Sequence, residues 1–460
     1  MKLEQIEIEN FRCFEHLTVV LDPEVNAFIG INASGKTAIL DAIAIALHST
    51  IGFNLNTAVN GYRQGTELRT TDIRQPPGDR GSVNSGITPV RVIASATGFP
   101  DVDRPGSLRG RVRWTDTIEF LPPKDFDYST EWQSFRGLTV DEFDIGRGLP
   151  GLAEALVPTA DLPLPVFAYY RAHRRFAQMP SLGDIFKLKF SRESAYQEAL
   201  DAAADYGAMC RWFYMRENQE LRERDRHRDQ PDLRLPDLEA IRAVLPQMLD
   251  QVTRVFFDDN PPRLKVEMKD AQGLFTQLEV EQLSDGYRNL LAVALDFARR
   301  LALANPILAK PLEAPGILLI DEIELHLHPK WQQTVVPRLR AAFPNTQIIV
   351  TTHSPLVLTS LHARQIRIVR DQQVFAAPIE TYGADTLRTA RLVMGTQSRP
   401  PDNPNTLRLG ELFDLINRDQ VEDAAAVLAE LEATLGAEDP ALVDARTSIE
   451  NRRWQQEMGL

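Results

Sequence analysis

The sequence predicts an α/β protein with a mixed, mostly parallel sheet and flanking helices. Three observations carry that prediction. The apolar run Ala27-Phe28-Ile29 leads through a short Gly-containing loop into a strongly apolar helix, Thr37–Leu47. From residue 284 the chain reads helix, strand, helix, strand and helix start, the βαβα order that builds parallel sheets. The composition, 43% apolar and 25% charged, is that of a chain that buries a core rather than one that stays disordered.

In order along the chain, residues 3–29 alternate through Leu3, Ile6, Ile8 and Phe11, then Leu17, Val19 and Leu21. They predict two or three strands, the last one buried. The helix over 37–47 is apolar nearly all round, which predicts burial on every side. Residues 50–90 read as long surface loops, Val90–Ala96 and Gly110–Phe120 as strands, and 121–165 as irregular. Pro165–Tyr170 reads as a buried strand that ends in the basic cluster Arg171–Arg175. Helices are predicted within 191–228 and over 237–258. Arg211–Asp229 holds six arginines and five acids, so a solvated, ion-paired helix face is the main reading and a nucleic-acid contact the alternative.

Arg263–Lys269 and Leu274–Val280, joined by Asp270-Ala271-Gln272-Gly273, predict a hairpin. There follow a helix to about Leu303, strand Gly316–Ile320, a helix over Lys330–Phe343, strand Gln347–Thr351 and a helix start at Pro355. The breaker-rich stretch 399–407 reads as a linker before three helical segments with turns at Asp419 and Gly436–Pro440.

The length of 460 residues suits three domains or one large domain with insertions. The net charge of −13 argues against coating nucleic acid by bulk charge, though not against a local basic groove. No apolar run approaches the roughly 18 residues of a membrane span, so no membrane association is expected. The Met1-Lys2-Leu3-Glu4 start lacks the apolar core of a signal peptide. Cys13 and Cys210 stand far apart in no metal spacing, which excludes a disulfide framework and fits a cytoplasmic location.

Four motifs carry chemistry. Gly30-Ile31-Asn32-Ala33-Ser34-Gly35-Lys36-Thr37 fits the phosphate-loop pattern and sits between a buried strand and a helix, where backbone N–H groups can cradle phosphate. Lys36 is expected to reach the β- and γ-phosphates and Thr37 to ligate magnesium. The apolar strand Ile317–Ile320 ends in Asp321 and Glu322; two adjacent acids at a buried strand's tip make sense as a metal ligand, Asp321, and a residue that orients the attacking water, Glu322. Leu283-Ser284-Asp285-Gly286-Tyr287-Arg288 opens a helix and offers Ser284 and Gly286 to an anion, although Ser-Asp-Gly is also a common turn and cap. His353, in Thr351–Pro355, lies past the end of a parallel strand, where ligands of open α/β sheets gather.

In order and spacing these motifs resemble the ABC-type ATPase heads of the SMC, RecF and OLD-family proteins, over roughly 1–120 and 260–400. Gly30–Thr37 matches the Walker A, Leu283–Tyr287 the signature, Ile317–Glu322 the Walker B, Glu324–Pro329 the D-loop and His353 the switch histidine. Asn10-Phe11-Arg12 matches the opening of these heads and adds Arg12 to the expected nucleotide contacts. The resemblance implies an antiparallel β lobe beside the main sheet, with ATP and magnesium as cofactors. It also implies head dimers in which Ser284 and Gly286 of one subunit touch the γ-phosphate held by Lys36 of the other. ATP then favours closure, and hydrolysis by Glu322 with His353 favours opening.

The chain departs from the pattern at Ala33, Asp285 and Tyr287, which argues against a transporter subunit. Gln75 and the region Tyr169–Arg174 are the candidates for the Q-loop. The 247 residues between Lys36 and Ser284 carry no heptads, which excludes long SMC arms. After His353 there is no D-x-D and only one further histidine, His362, so no nuclease of the Toprim or HNH type is expected within the chain. Tyr382-Gly383-Ala384-Asp385, Val393-Met394-Gly395 and Arg399-Pro400 are similar to stretches of the Septu and retron-associated ATPases of bacterial defence operons.

Four segments are expected: the first part of the head (1–180), a helical insertion (181–258), the second part of the head (259–400), and a helical docking or oligomerisation segment (401–460). The resemblance implies an antiphage ATPase that forms homo-oligomers of head dimers and controls a separate HNH nuclease, with DNA contact as a further expectation. The alternatives are a RecF-like repair ATPase that clamps duplex DNA and a nucleotide-sensing scaffold with negligible turnover.

Overall fold

The computed structural model describes residues 1–55, 69–74, 89–100, 108–120, 132–140, 143–144, 163–172, 190–200, 206–259 and 262–458. They form two compact units, Met1–Thr386 and Leu387–Leu460.

The first unit opens with β1 (Lys2–Phe11) and β2 (Phe14–Val20), an antiparallel pair, and then β3 (Val25–Ile29). β3 is buried along its whole length and feeds α1 (Lys36–Leu55). Next come β4 (Val90–Pro100), β5 (Leu108–Phe120), β6 (Trp132–Val140) and β7 (Phe143–Asp144). The expectation that 121–165 is irregular is therefore corrected: β6 pairs with β5 from Arg113↔Thr139 to Phe120↔Trp132, and β5 supplies an open edge long enough to extend the sheet. In the order β2-β1-β4-β5-β6-β7 these strands make an antiparallel six-stranded sheet.

β8 (Val166–Tyr170) is buried throughout, as its apolar run predicts. Two helices follow, α2 (Tyr206–Arg226) and α3 (Pro236–Met248). The helix expected over 237–258 ends early, because Val252-Thr253-Arg254-Val255-Phe256-Phe257 is β-branched and aromatic and enters β9 (Val252–Asp259). β9, β10 (Pro262–Lys269) and β11 (Phe275–Glu279) form a small antiparallel sheet that contains the predicted hairpin. The arginine-rich face of α2 is ion-paired: Arg224 to Glu220, Arg226 to Glu223, Arg216 to Asp237.

α4 (Asp285–Ala304), β12 (Gly316–Ile320), the short helix Pro329–Gln332, α5 (Val335–Ala342) and β13 (Thr346–Thr351) follow as the βαβα reading predicts. The hairpin β14 (Ile366–Arg370) and β15 (Gln373–Ala376) adds two strands that the sequence reading did not find. The second sheet runs β15-β14-β3-β13-β12-β8, parallel except for β15. Strands β3, β8, β12 and β13 are buried at every position, the mark of a parallel sheet covered on both faces.

α1 explains its own composition. It packs against β4 and β5 of one sheet and β13 of the other, so it needs apolar residues all round. Trp114 Nε1 donates to the Ala46 carbonyl at 2.9 Å and ties the antiparallel sheet to this helix. Buried Gln347 holds the other end: it accepts from the Leu3 N–H and donates to the Leu3 and Asp22 carbonyls.

The second unit includes α6 (Pro404–Asn417), α7 (Val421–Leu435) and α8 (Pro440–Met458), three helices around Leu412, Leu428, Leu431 and Leu442. α6 starts inside the stretch read as a linker, with Asn403 as its cap and Pro404 in its first turn. Among the described residues no helix is long and apolar enough to cross a membrane.

Candidate nucleotide-binding site

The parallel strands β3, β12, β13 and β8 end at one edge of their sheet, and residues of three of the four motifs gather there. The loop Gly30–Thr37 joins β3 to α1. Gly35 has φ +102, and an added Cβ would lie 2.5 Å from the Phe14 ring and 2.8 Å from Cys13 Sγ, so no other residue fits. Ala33, where related loops often carry glycine, takes the left-handed conformation at φ +64. Ile31, Asn32 and Ala33 form an exposed tip, whereas Lys36 is buried. Lys36 Nζ donates to the Gly30 and Ile31 carbonyls, each at 2.9 Å. Burial lowers its pKa, and Asp321, Glu322 and Glu324 act in the opposite sense. The Ser34 hydroxyl is buried without a hydrogen-bond partner, a polar atom waiting in the cradle.

Asp321 leaves β12 beside Thr37. The Thr37 hydroxyl donates to its carboxylate at 3.1 and 3.3 Å. The Thr351 hydroxyl, at the end of β13, donates to the same carboxylate at 2.5 Å and accepts from the Glu322 N–H at 2.8 Å. Glu322 adopts φ +48, a strained turn that this bond holds in place. Thr37 and Asp321 are hard oxygen donors, the set that suits magnesium, which keeps most of its shell as water and phosphate oxygen. Among the described residues there is no group of three or more His, Cys, Asp or Glu that could hold a metal ion.

His353 follows β13, and its N–H donates to Glu324 Oε1 at 2.6 Å. The other Glu324 oxygen is buried and unpaired. Arg12 is taken up by two acids, Asp41 of α1 at 2.5 Å and Asp72 at 2.8 Å, with a third of its side chain exposed.

Ser284 and Gly286 lie elsewhere. Ser284 is the exposed cap of α4 and lines a groove of about 740 Å³ with Tyr287, His326, His328 and Trp331, which no residue of Gly30–Thr37 lines. Gly286 is buried against the loop after β12: a Cβ there would lie 2.4 Å from the His326 carbonyl oxygen. Gln75 and Arg174–Arg175 lie outside the described residues.

Sequence reasoning passed over Asp41 and Thr351 as site residues, whereas Tyr169 and Arg171 lie in the region it suspected as the Q-loop. A signal existed for Asp41, the one acid in the apolar stretch Thr37–Leu47. None existed for Thr351, whose role depends on β13 lying next to β12.

Over parts of its length the chain is similar to AAA-type ATPases. Residues 1–75 match the model described as AAA ATPase domain, and residues 172–359 match the one described as AAA domain, putative AbiEii toxin, Type IV TA system. Among characterised proteins the chain is 41% identical over 182 residues to the Retron Ec83 probable ATPase of Escherichia coli, covering 39% of this chain and 34% of that one. It is 35% identical over 143 residues to the Septu protein PtuA of Bacillus mycoides, covering 30% of this chain and 19% of that one. The matched stretches thus span about a third or less of these relatives. A solved SMC head bound to the C-winged helix domain of ScpA superposes with TM-score 0.45 at 16% identity, covering 82% of this chain and 98% of that one.

Proposed function

We propose that the chain binds and hydrolyses ATP as a component of a bacterial antiphage defence complex, in which head dimers switch with ATP to control a separately encoded HNH nuclease. The observation that carries the reading is the joining of Thr37, Asp321, Thr351 and Glu322 at one sheet edge, beside the phosphate loop. Relatives named as a retron probable ATPase and a Septu protein support the defence context.

In this reading Lys36 leaves the Gly30 and Ile31 carbonyls and pairs with the β- and γ-phosphates, gaining in exchange a charge-assisted contact. Thr37, and Asp321 through water, would hold magnesium, which would supply positive charge against the phosphates. Glu322 orients a water and takes its proton as the oxygen attacks the γ-phosphorus; the bond to the bridging oxygen breaks and ADP leaves. His353, fixed through its N–H by Glu324, senses the product state. Ser284 and Gly286 serve the nucleotide of a partner head, so ATP binds the closed pair better than the open one and shifts the equilibrium toward closure.

The test is to purify tagged Glu322→Gln protein from its native host in ATP and identify what accompanies it by mass spectrometry. An HNH-type nuclease in fixed ratio is the expected result. Duplex DNA with recombination proteins and no nuclease would overturn the defence reading in favour of a repair clamp.

A further inference from the structure

The end of β8 carries three consecutive polar groups that go to two carboxylates. The Tyr169 hydroxyl donates to Asp41 of α1, the phosphate-loop helix, at 2.9 Å. The Tyr170 hydroxyl donates to Asp296 of α4 at 2.8 Å. Arg171 Nη2 also reaches Asp41, at 2.6 Å.

Arg171 stands close to the reacting end of the site. Tyr170 pairs with Ile320, and the Asp321 N–H donates to the Tyr170 carbonyl at 2.9 Å. Adjacent strands lie about 4.8 Å apart, so the Arg171 backbone is one strand spacing from the residue whose carboxylate touches Thr37. Its resting partner Asp41 is five residues beyond Lys36 on α1, about 7.5 Å along the helix axis. The Arg171 side chain is 39% exposed, and its guanidinium lies 5.3 Å from the centre of the Tyr169 ring.

The arrangement lets Arg171 leave without stranding Asp41. That carboxylate is nearly buried and could not be stranded, but Arg12 and Tyr169 would still donate to it. A bound triphosphate offers Arg171 several anionic oxygens in place of a carboxylate it shares with two other donors. A planar guanidinium can then give two parallel hydrogen bonds to phosphate oxygens.

We propose that Arg171 is a further catalytic residue of this site: when ATP binds, its guanidinium exchanges Asp41 for the γ-phosphate. The inference rests on the ATPase reading above. Arg171 forms no covalent bond; it stabilises charge on the γ-phosphoryl oxygens while water adds and the bridging oxygen departs. Asp41 and Tyr169 are positioning residues that park the arginine beside the site.

The experiment compares the full chain with Arg171→Ala and Arg171→Lys, measuring kcat, KM, the Kd of magnesium-ATP and magnesium-ADP, and the thermal midpoint. Arg171→Ala is expected to lose about 10²–10³ in kcat, as when one transition-state donor is removed, and to lose its preference for ATP over ADP while ADP affinity holds within twofold. Arg171→Lys keeps an ion pair to Asp41, and is expected to fold like the wild type yet remain at least tenfold slow. Wild-type rates in either folded variant would overturn the proposal. So would an equal weakening of ATP and ADP binding with a lowered midpoint, the result of a purely structural ion pair. Wild-type protein that neither binds nor hydrolyses ATP would fell the ATPase reading itself, a distinguishable failure.

Discussion

Thr37 and Asp321 are 284 residues apart in the chain and in contact in the fold, hydroxyl to carboxylate at 3.1 Å. The contact joins the start of α1 to the end of β12 across β13, whose Thr351 donates to the same carboxylate. Thr37 contributes its hydroxyl and Asp321 its carboxylate, so neither half of the chain makes this contact alone. Asp321→Asn replaces a charged oxygen with an amide and is expected to remove the magnesium dependence of ATP binding. Calorimetric titration of ATP with and without magnesium checks this; an unchanged magnesium effect would place the metal elsewhere.

Lys36→Ala removes the only cation the phosphate loop itself supplies. Because the ammonium now rests on two backbone carbonyls, its loss leaves acceptors that the open end of the loop can hydrate. The expected outcome is a folded protein with ATP affinity weakened by about 10² or more, the worth of a charge-assisted pair of contacts. Tight ATP binding by this variant would sink the phosphate-loop assignment.

Glu322→Gln keeps the side chain's shape, and the bond from its N–H to Thr351 does not depend on the carboxylate. ATP binding is expected to persist while turnover falls by about 10²–10⁴, the usual contribution of a positioned base. Single-turnover hydrolysis measures it, and undiminished rates would move the base to another residue.

Asp296 gives a prediction about stability. It is buried on α4 with Arg299 at 2.6 Å, Arg300 at 2.8 Å and the Tyr170 hydroxyl. Burial pushes its carboxyl up, but Arg300 and Arg299 outweigh it and hold the group well below the usual range. A folded-state pKa below the unfolded one stabilises the fold above the unfolded value, near pH 4, and the benefit fades as pH falls further. Asp296→Asn is expected to cost about 3–5 kcal/mol at pH 7, since two buried guanidiniums lose their counter-ion. The gap between the two proteins should narrow in acid. Urea unfolding at several pH values checks both the size and the direction.

Much of this was legible before the fold. The phosphate loop, the two acids after β12 and His353 are local patterns, and each sits at a strand end where hydrophobic periodicity already placed it. Other features needed the topology. Val252–Phe257 was absorbed into a helix because an apolar run is ambiguous in period until β10 is seen beside it. The Asp41 cluster draws on residues 12, 41, 72, 169 and 171, a set that no window of sequence contains. Gly286 looked like a place for close phosphate approach, and the close approach found within the chain is to its own His326 carbonyl.

Ser284 lines a groove that its own phosphate loop does not share, and this separation is what makes a composite site between two chains testable. If Ser284 serves the partner's nucleotide, Lys36→Ala and Ser284→Arg each abolish both sites of a homodimer. A mixed dimer of the two keeps one site intact, built from the phosphate loop of the Ser284 variant and the signature of the Lys36 variant. Random pairing makes half the dimers mixed, with one good site of two, so activity should return to about a quarter of wild type if sites act independently. If Ser284 instead acts within its own chain, mixing restores nothing, because every subunit then carries one defect in its only site. Hydrolysis rates after co-refolding or co-expression of the two variants separate these outcomes, and no recovery in a verified mixed dimer would rule out completion of the site by the partner.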